Sequence, residues 1–283
     1  MKFAGSILLG VATALIFSSN LSAQFFTRVT DIGPIVTDPL FSTGASWNDF
    51  NNDGHLDLYA LAERENHFYL NNGDNTFSEI TSGHFLTPFG TGNLGLWADY
   101  NNDGYLDMYL CNFVTEPGGS TVAPNFLYKN SGPPDFNLDV VNIGSDLNAC
   151  PSASWVDYDQ DGDLDLFAAG AAIGQGGSTE DIFYRNNGND DFQRLAQLSF
   201  LQFRQGFGTH DVWVDYDNDG DQDLFVLNWR FPNELYKSLL VETGNPNRFE
   251  AIANSGLTDE GAQFDIGSNW GDYDNDGDLD VFI

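Results

Sequence analysis

Basic residues, cysteines and long hydrophobic runs are scarce in this sequence. Among 283 residues, 10 lysines and arginines stand against 42 aspartates and glutamates, which gives a formal net charge of −32. Such an excess of negative charge argues against nucleic acid and anionic membranes as partners and favours cations. The two cysteines permit at most one intramolecular disulfide. Outside the N-terminal segment, no stretch is apolar enough to span a membrane.

The first residues predict a secretory signal peptide over residues 1–23. Lys2 supplies a positive start, residues 7–17 are an apolar run too short to cross a bilayer, and the small residues of LSA precede Gln24. The remaining chain, residues 24–283, is therefore expected to be exported and soluble.

An aspartate-rich segment recurs five times in the rest of the chain. The copies read WNDFNNDGHLDLY, WADYNNDGYLDMY, WVDYDQDGDLDLF, WVDYDNDGDQDLF and WGDYDNDGDLDVF, and they begin at Trp47, Trp97, Trp155, Trp213 and Trp270. Their first aspartates are 50, 58, 58 and 57 residues apart. Self-similarity at such a period is typical of propellers, solenoids and other repeat architectures.

Each repeat contains four short segments with the alternating pattern of β-strands. In the second repeat these are residues 94–100, 106–113, 125–132 and 136–141, and hairpin-turn residues follow the third segment. A four-stranded antiparallel unit at this period predicts an all-β fold, namely a β-propeller of four-stranded blades. A right-handed β-solenoid is the alternative, although its repeats are usually much shorter.

The repeats at both ends of the chain are partial. Residues 25–33 match a fourth strand, and the chain ends at Ile283, just after the second strand of the fifth repeat. About five blades are therefore present, and we expect a fragment of a longer propeller that is incomplete at the C-terminus. A complete five-bladed ring is the alternative, but one of its blades would lack a third strand.

The aspartates follow the pattern D-x-[DN]-x-D-G-x-x-D, which is typical of a calcium-binding loop. Positions 1, 3, 5 and 9 carry oxygen ligands, position 7 offers its main-chain carbonyl, and glycine at position 6 permits a sharp turn. Oxygen ligands fit Ca²⁺ rather than zinc or copper. The predicted metal-site residues are Asp49, Asn51, Asp53, His55 and Asp57 in loop 1; Asp99, Asn101, Asp103, Tyr105 and Asp107 in loop 2; Asp157, Asp159, Asp161, Asp163 and Asp165 in loop 3; Asp215, Asp217, Asp219, Asp221 and Asp223 in loop 4; and Asp272, Asp274, Asp276, Asp278 and Asp280 in loop 5.

These loops differ from an EF-hand and from one another. In loops 1 to 4, position 12, where an EF-hand carries a glutamate, is alanine, leucine or valine, so we expect the aspartate at position 9 to close each loop within a β-hairpin. Loops 3 to 5 have aspartate rather than asparagine at position 3, and a further aspartate at position 7. These three loops are therefore expected to bind the ion more tightly. The tryptophan before each loop is expected to pack between blades rather than to stack on a ligand.

Two further features lie on the face predicted to be opposite the loops. Cys111 ends a second strand and Cys150 begins the first strand of the next blade, so a disulfide is expected, with two free buried thiols as the alternative. The longer connections carry aromatic and basic residues, which form either a binding patch or ordinary loop anchors. These residues are Phe203, Arg204, Phe207, Trp229, Arg230 and Phe231.

The sequence DYDNDGDLDVF, with tryptophan upstream and segments such as LYKNSG and FYLNNG downstream of other copies, resembles the FG-GAP/VCBS repeats of integrin-α-type propellers. It is especially similar to the cartilage acidic protein and ASPIC/UnbV group. The resemblance covers nearly all of residues 25–283. It implies a seven-bladed, calcium-stabilised propeller of exported adhesion or matrix-associated proteins, with calcium ligands at positions 1, 3, 5 and 9. The chain departs from that group because it has five motifs and no ASPIC-type module.

Together these features predict a secreted or surface-displayed module that holds about five Ca²⁺ ions and binds an extracellular protein or glycan. No enzymatic activity is expected, because the four histidines are scattered and neither H-E-x-x-H nor G-x-S-x-G occurs. A calcium-dependent polysaccharide-active enzyme is one alternative, since paired carboxylates serve such chemistry. A passive scaffold domain without a ligand is the other.

Overall fold

Five antiparallel β-sheets follow one another along the chain. The computed structural model describes residues 30–36, 42–62, 65–86, 92–114, 122–132, 136–144, 149–170, 181–195, 207–229, 231–253, 255–258, 265 and 267–283. Four sheets have four strands each and the fifth has two. The strands are β1 (Ser42–Asn48), β2 (Asp57–Ala62), β3 (His67–Asn71) and β4 (Phe77–Ile80) in sheet 1; β5 (Gly92–Ala98), β6 (Asp107–Asn112), β7 (Phe126–Asn130) and β8 (Leu138–Val141) in sheet 2; β9 (Ala153–Val156), β10 (Asp165–Ala168), β11 (Ile182–Asn186) and β12 (Phe192–Arg194) in sheet 3; β13 (Phe207–Val214), β14 (Asp223–Trp229), β15 (Glu234–Ser238) and β16 (Phe249–Ala251) in sheet 4; and β17 (Asn269–Gly271) and β18 (Asp280–Phe282) in sheet 5.

Strands that are adjacent in sequence are also adjacent within each sheet, and every strand pair described is antiparallel. The meander of four strands confirms the predicted blade unit in four copies. It does not fit a β-solenoid, whose strands are parallel. Two short helices complete the described secondary structure: a 3₁₀ helix at Pro34–Val36 and a one-turn helix α1 at Leu240–Thr243.

In the four-stranded sheets, the second strand forms the buried centre of the blade. All six residues of β2 (DLYALA) and of β6 (DMYLCN) are buried. A strand that is covered on both faces has a nearly continuous run of apolar residues in its sequence. The half-exposed strand β1 instead alternates between exposed and partly buried positions. The second strands of sheets 2 and 3 therefore lie between the neighbouring sheets on their two faces.

The hydrophobic core is divided into seams between successive sheets. Phe50 and Phe68 of sheet 1 share a cluster with Met108 and Tyr128 of sheet 2. Similar clusters join sheets 2 and 3, sheets 3 and 4, and sheets 4 and 5. Such nearest-neighbour packing is typical of a repeat protein, in which each unit completes its core with the next unit.

The tryptophans in the first strands of sheets 2 to 5 lie in the seams between blades, as predicted. The ring of Trp97 lies 4.0 Å from that of Phe50 in the preceding sheet, and the ring of Trp155 stacks 5.8 Å from that of Tyr100. Trp47 differs, because it is 51% exposed and contacts Phe77 of its own sheet. In the described residues, no preceding sheet covers it.

A disulfide joins Cys111 and Cys150, so the predicted pairing is confirmed and the alternative of free thiols is wrong. Cys111 lies at the end of β6 and Cys150 lies just before β9, and neither side chain is exposed to solvent. The main-chain N–H of Cys150 also donates a 3.1 Å hydrogen bond to the carbonyl of Asn112. The disulfide therefore links sheet 2 to sheet 3 covalently.

The N-terminal segment is described only from residue 30 onward. The predicted signal peptide and residues 25–29 of the predicted fourth strand lie outside the described residues. Residues 30–33 do not form a strand, but the carbonyl of Ile32 accepts a 3.2 Å hydrogen bond from the N–H of Phe77 in β4. The segment therefore lies beside the outer strand of sheet 1.

Candidate metal centres

Each aspartate loop connects the first and second strands of its sheet and has the same main-chain turn. The carboxylate at position 1 accepts the N–H groups of positions 5 and 6, at 2.8 to 3.1 Å in all five loops. Glycine at position 6 has φ between 89° and 102°, a left-handed conformation that disfavours residues with a Cβ atom. The conformation thus explains the glycine that the sequence places at this position in every copy.

The aspartate at position 9 ties the loop to the sheet. In loop 3, Asp165 accepts N–H groups from Tyr158 at 3.4 Å and from Asn186 of β11 at 2.8 Å. The corresponding aspartates of loops 1, 2 and 4 likewise accept an N–H from the third strand. Each of these four carboxylates therefore lies at the start of the second strand with one oxygen bound to the third.

Burial makes the position 9 carboxylates costly to ionise without a cation. The side chains of all four are 0% exposed. Desolvation raises the pKa of Asp57 to about 6, of Asp107 to about 7, of Asp165 to about 8 and of Asp223 to about 7, against the opposing effect of the hydrogen bonds that they accept. A nearby divalent cation would favour the ionised form.

The ligand positions converge as a metal site requires. In loop 3, one oxygen from each of Asp157, Asp159 and Asp165 can lie within 4.8 Å of the others, and positions 1, 3 and 9 of loop 4 form the same group. In loop 5 the converging group is formed by positions 1, 3 and 5. The carboxylate of Asp159 has only 2% of its side chain exposed, and within the described residues its close basic partner is the guanidinium of Arg185. A buried carboxylate that converges with other carboxylates fits a hard divalent cation.

Two basic side chains enter these loops, and the sequence reasoning missed both. The guanidinium of Arg185 lies 2.6 Å from Asp159 and 3.3 Å from Asp161. The ammonium group of Lys237 lies 2.5 Å from Asp217 and 2.8 Å from Asp219. These carboxylates are the position 3 and position 5 ligands of loops 3 and 4, so each basic group competes with an ion for them.

The same position of the third strand carries the basic residue in both sheets, immediately before the residue that binds the position 9 aspartate. The alignment of FYRN in β11 with LYKS in β15 was the available signal. The equivalent Lys129 of β7 behaves differently, because its ammonium group pairs with Asp190 of sheet 3 at 3.0 Å. Sequence position alone therefore does not determine where the charge lies.

The side chains at position 7 do not converge with those of positions 1, 3 and 9, but in loop 4 Asp221 forms a separate group with Asp219 and Glu242. The rings of His55 and Tyr105 cover Gly73 and Gly132 in the hairpin turns after the third strands, where a Cβ atom would lie 2.5 Å from either ring. The carboxylate of Asp221 accepts the N–H of Val241 at 2.8 Å. Position 7 thus remains available for the predicted role of its main-chain carbonyl.

Adjacent loops touch one another, which places them on one face of the array, as predicted. The side-chain amide of Asn52 in loop 1 donates to the carbonyl of Gly104 in loop 2 at 2.7 Å. Gln160 of loop 3 makes the same bond to Gly220 of loop 4 at 2.6 Å, and Asn218 of loop 4 to Gly277 of loop 5 at 3.1 Å.

Little of the aromatic and basic patch predicted for the opposite face can be placed. Phe203, Arg204 and Arg230, and the side chains of Phe207 and Trp229, lie outside what the structure describes. Phe231 is 43% exposed. Within the described residues, no helix is both long enough and apolar enough to cross a membrane.

Comparison with known proteins identifies the repeat. No curated protein matches the chain. A lectin of Agrocybe aegerita, described in terms of specific recognition of non-reducing terminal N-acetylglucosamine, is 20% identical, with a TM-score of 0.45 over 74% of this chain and 51% of the lectin. The Tc holotoxin pore of Photorhabdus luminescens is 19% identical, with a TM-score of 0.41 over 83% of this chain and 10% of the toxin chain. The chain thus spans about half the length of the lectin and a tenth of that of the toxin chain.

The family model of the FG-GAP-like repeat matches residues 49–110, 157–226 and 215–283. These matches begin at the first aspartates of loops 1, 3 and 4, and together they span more than half of the chain. The chain belongs to the FG-GAP-like repeat family.

Proposed function

We propose that the five loops bind Ca²⁺ and that the protein is a secreted, calcium-stabilised propeller module that binds an extracellular protein or glycan. The observation that carries the calcium assignment is the convergence of carboxylates in loops 3, 4 and 5 beside aspartates held in place by the sheet. The donors are oxygens, which favours calcium over softer transition metals. One ion per loop gives five in all.

The protein's own residues define what each loop contributes. Position 1 holds the turn closed through its two N–H contacts, and positions 3 and 5 supply carboxylate or amide oxygens. Position 9 connects the site to the third strand and so to the blade. A bound divalent cation supplies positive charge among these acids and links the two ends of the loop. Metal binding is therefore expected to stabilise the hairpins rather than to perform chemistry.

We propose further that the protein is not an enzyme. The described contacts of three histidines support packing roles. His55 covers a turn glycine, His67 pairs with Glu79 at 2.9 Å, and His84 contacts the hydroxyl of Tyr128 at 2.8 Å. The resemblance to the cartilage acidic protein group, and the signal-like residues 1–23, support an extracellular location.

Calcium titration of the metal-stripped protein tests the metal assignment. At a free ion concentration of 100 times Kd, each filled site stabilises the fold by about 2.7 kcal/mol. For a domain of this size that corresponds to a rise of roughly 5–10 °C in the melting temperature per site. The matched variants are Asp157→Asn, which removes a ligand charge, and Asp139→Asn, which changes an exposed aspartate of β8 outside the loops. A melting temperature that does not respond to calcium would refute the assignment.

The binding role needs a separate assay. The calcium-loaded protein is applied to a glycan array and to a panel of extracellular matrix proteins, with chelator-treated protein as the control. Calcium-dependent retention on one class of ligand is expected. Stabilisation by calcium without any retained ligand would instead favour the passive scaffold, and turnover of a polysaccharide would favour the enzyme.

A further inference from the structure

The residue at position 4 of every loop carries a side-chain amide, although it is not among the predicted metal ligands. These residues are Asn52, Asn102, Gln160, Asn218 and Asn275. All five have a left-handed main chain, with φ between 57° and 62°. In loops 1, 3 and 4 the amide donates to the carbonyl of the position 6 glycine of the following loop. We call this hydrogen bond the inter-loop bridge.

Main-chain conformation alone does not explain the side-chain amide at position 4. Asparagine is common in the left-handed region, so its presence at four of the five positions has a simple local explanation. Glutamine has no such preference, yet Gln160 occupies the position in loop 3 and makes the shortest of the three bonds, at 2.6 Å. What glutamine shares with asparagine is the amide donor. Asn102 also reaches across, to the carboxylate of Asp163 in loop 3 at 3.4 Å.

Both ends of the bridge lie next to metal-ligand positions. The donor at position 4 is flanked by the ligands at positions 3 and 5. The acceptor carbonyl at position 6 belongs to the peptide that precedes position 7, whose own carbonyl is the expected main-chain ligand. Ordering of one loop therefore restrains the turn of the next, so that the second loop has less conformational freedom to lose when it binds an ion.

We propose that the position 4 amides are positioning residues that couple neighbouring metal loops, so that an ion in one loop raises the affinity of the adjoining loop. This inference rests on the proposed calcium binding. Coupling between binding sites is typically about 5- to 150-fold in affinity. For a single hydrogen bond between exposed loops, we expect the lower end of that range, roughly fivefold.

The test uses the full chain and calcium chloride, with isothermal calorimetry as the readout. Gln160→Met removes the donor but keeps a side chain of similar length and no charge. Asn218→Ala breaks the next bridge, and Asn75→Ala is its matched control, since Asn75 has a left-handed main chain (φ 69°) in the exposed turn between β3 and β4. The wild-type protein and Asn75→Ala should bind with a Hill coefficient above one. Both bridge variants should show a lower coefficient and a weaker midpoint, although every ligand is present.

A double-mutant cycle localises the effect. Asp157→Asn weakens loop 3, and through Gln160 it should also weaken loop 4; in the Gln160→Met background the second effect should disappear. Hydrogen exchange of the metal-free protein gives an independent readout, because the amides of Asp219 and Gly220 should exchange several-fold faster in Gln160→Met.

Unchanged Hill coefficients and unchanged exchange in both bridge variants would overturn the proposal while leaving calcium binding intact. A wild-type protein that binds no calcium would refute the proposed function itself, and it would leave the exchange experiment as the test of whether the bridges order neighbouring loops.

Discussion

The buried aspartates at position 9 predict an unusual pH dependence for the metal-free protein. Their pKa values in the folded state lie at about 6 to 8, because burial disfavours the charged form, whereas an aspartate in the unfolded chain titrates near 4. A raised folded-state pKa means that the folded protein binds protons more tightly. The protonated position 9 carboxyl groups therefore contribute their full stabilisation of the fold below about pH 4. This contribution is lost as the pH rises through their folded-state pKa values.

The magnitude follows from Asp165, whose pKa of about 8 is the highest of the four. Where the folded state is protonated and the unfolded state is not, stability changes by about 1.4 kcal/mol per pH unit. Between pH 5 and pH 8 this amounts to at most ~4 kcal/mol. The loop faces water on its outer side, so we expect screening to reduce the loss to about 2 kcal/mol. The melting temperature should then fall by roughly 4–8 °C from this residue alone.

Differential scanning calorimetry at pH 5, 6, 7 and 8, on protein stripped of metal, measures the effect. Asp165→Asn cannot ionise and should flatten the slope, and it serves as the matched variant. Saturating calcium should abolish or reverse the trend, because protons then compete with the ion. A melting temperature that rises with pH in the stripped protein, or an equal slope in Asp165→Asn, would refute the assigned protonation of these buried carboxylates.

Three further predictions concern single contacts. Replacing Cys111 and Cys150 with alanine opens a 39-residue crosslink and should cost about 4 kcal/mol in denaturant unfolding, with calcium still bound. Arg185→Gln should strengthen calcium binding at loop 3 by about fivefold or more in calorimetry, since unit charges 4 Å apart interact by ~1 kcal/mol even in water; unchanged affinity would show that the guanidinium does not compete. Phe50→Ala should cost about 3–5 kcal/mol, whereas Tyr273→Ala at the same repeat position should cost less than about 0.5 kcal/mol, because Phe50 is fully buried and Tyr273 is 80% exposed.

The blades were predictable because local patterns specify them. Within the second repeat, the predicted segments 94–100 and 106–113 agree with β5 and β6 to within two residues at each end. The alternation of apolar and polar residues in the strands and the turn glycine of each loop act over a few residues, so both can be recognised in a single copy of the repeat. Their recurrence at a nearly constant step then specified antiparallel blades packed in sequence.

Contacts between blades were harder to predict, because they depend on how neighbouring sheets are placed. Lys129 and Arg185 occupy equivalent strand positions, yet one pairs across to the next sheet and the other enters its own loop. The inter-loop bridges also join residues about 52 to 60 positions apart. The expectation of tighter binding in loops 3 to 5 counted only carboxylates, and the basic groups in loops 3 and 4 oppose it. Calcium titration of the individual loops tests which of the two effects on affinity is larger.

The seam-by-seam core has a mechanical consequence. If the chain were pulled from its two ends, each blade could separate from its neighbour without disturbing the others, so extension should proceed in steps. A repeat of 57 residues adds roughly 190 Å of contour length when drawn out, at about 3.3–3.6 Å per residue. The segment between Cys111 and Cys150, which are 39 positions apart, cannot be extended while the sulfurs remain joined. A stretched molecule should therefore show a shorter step at that seam, by roughly 130 Å, which a reducing agent restores.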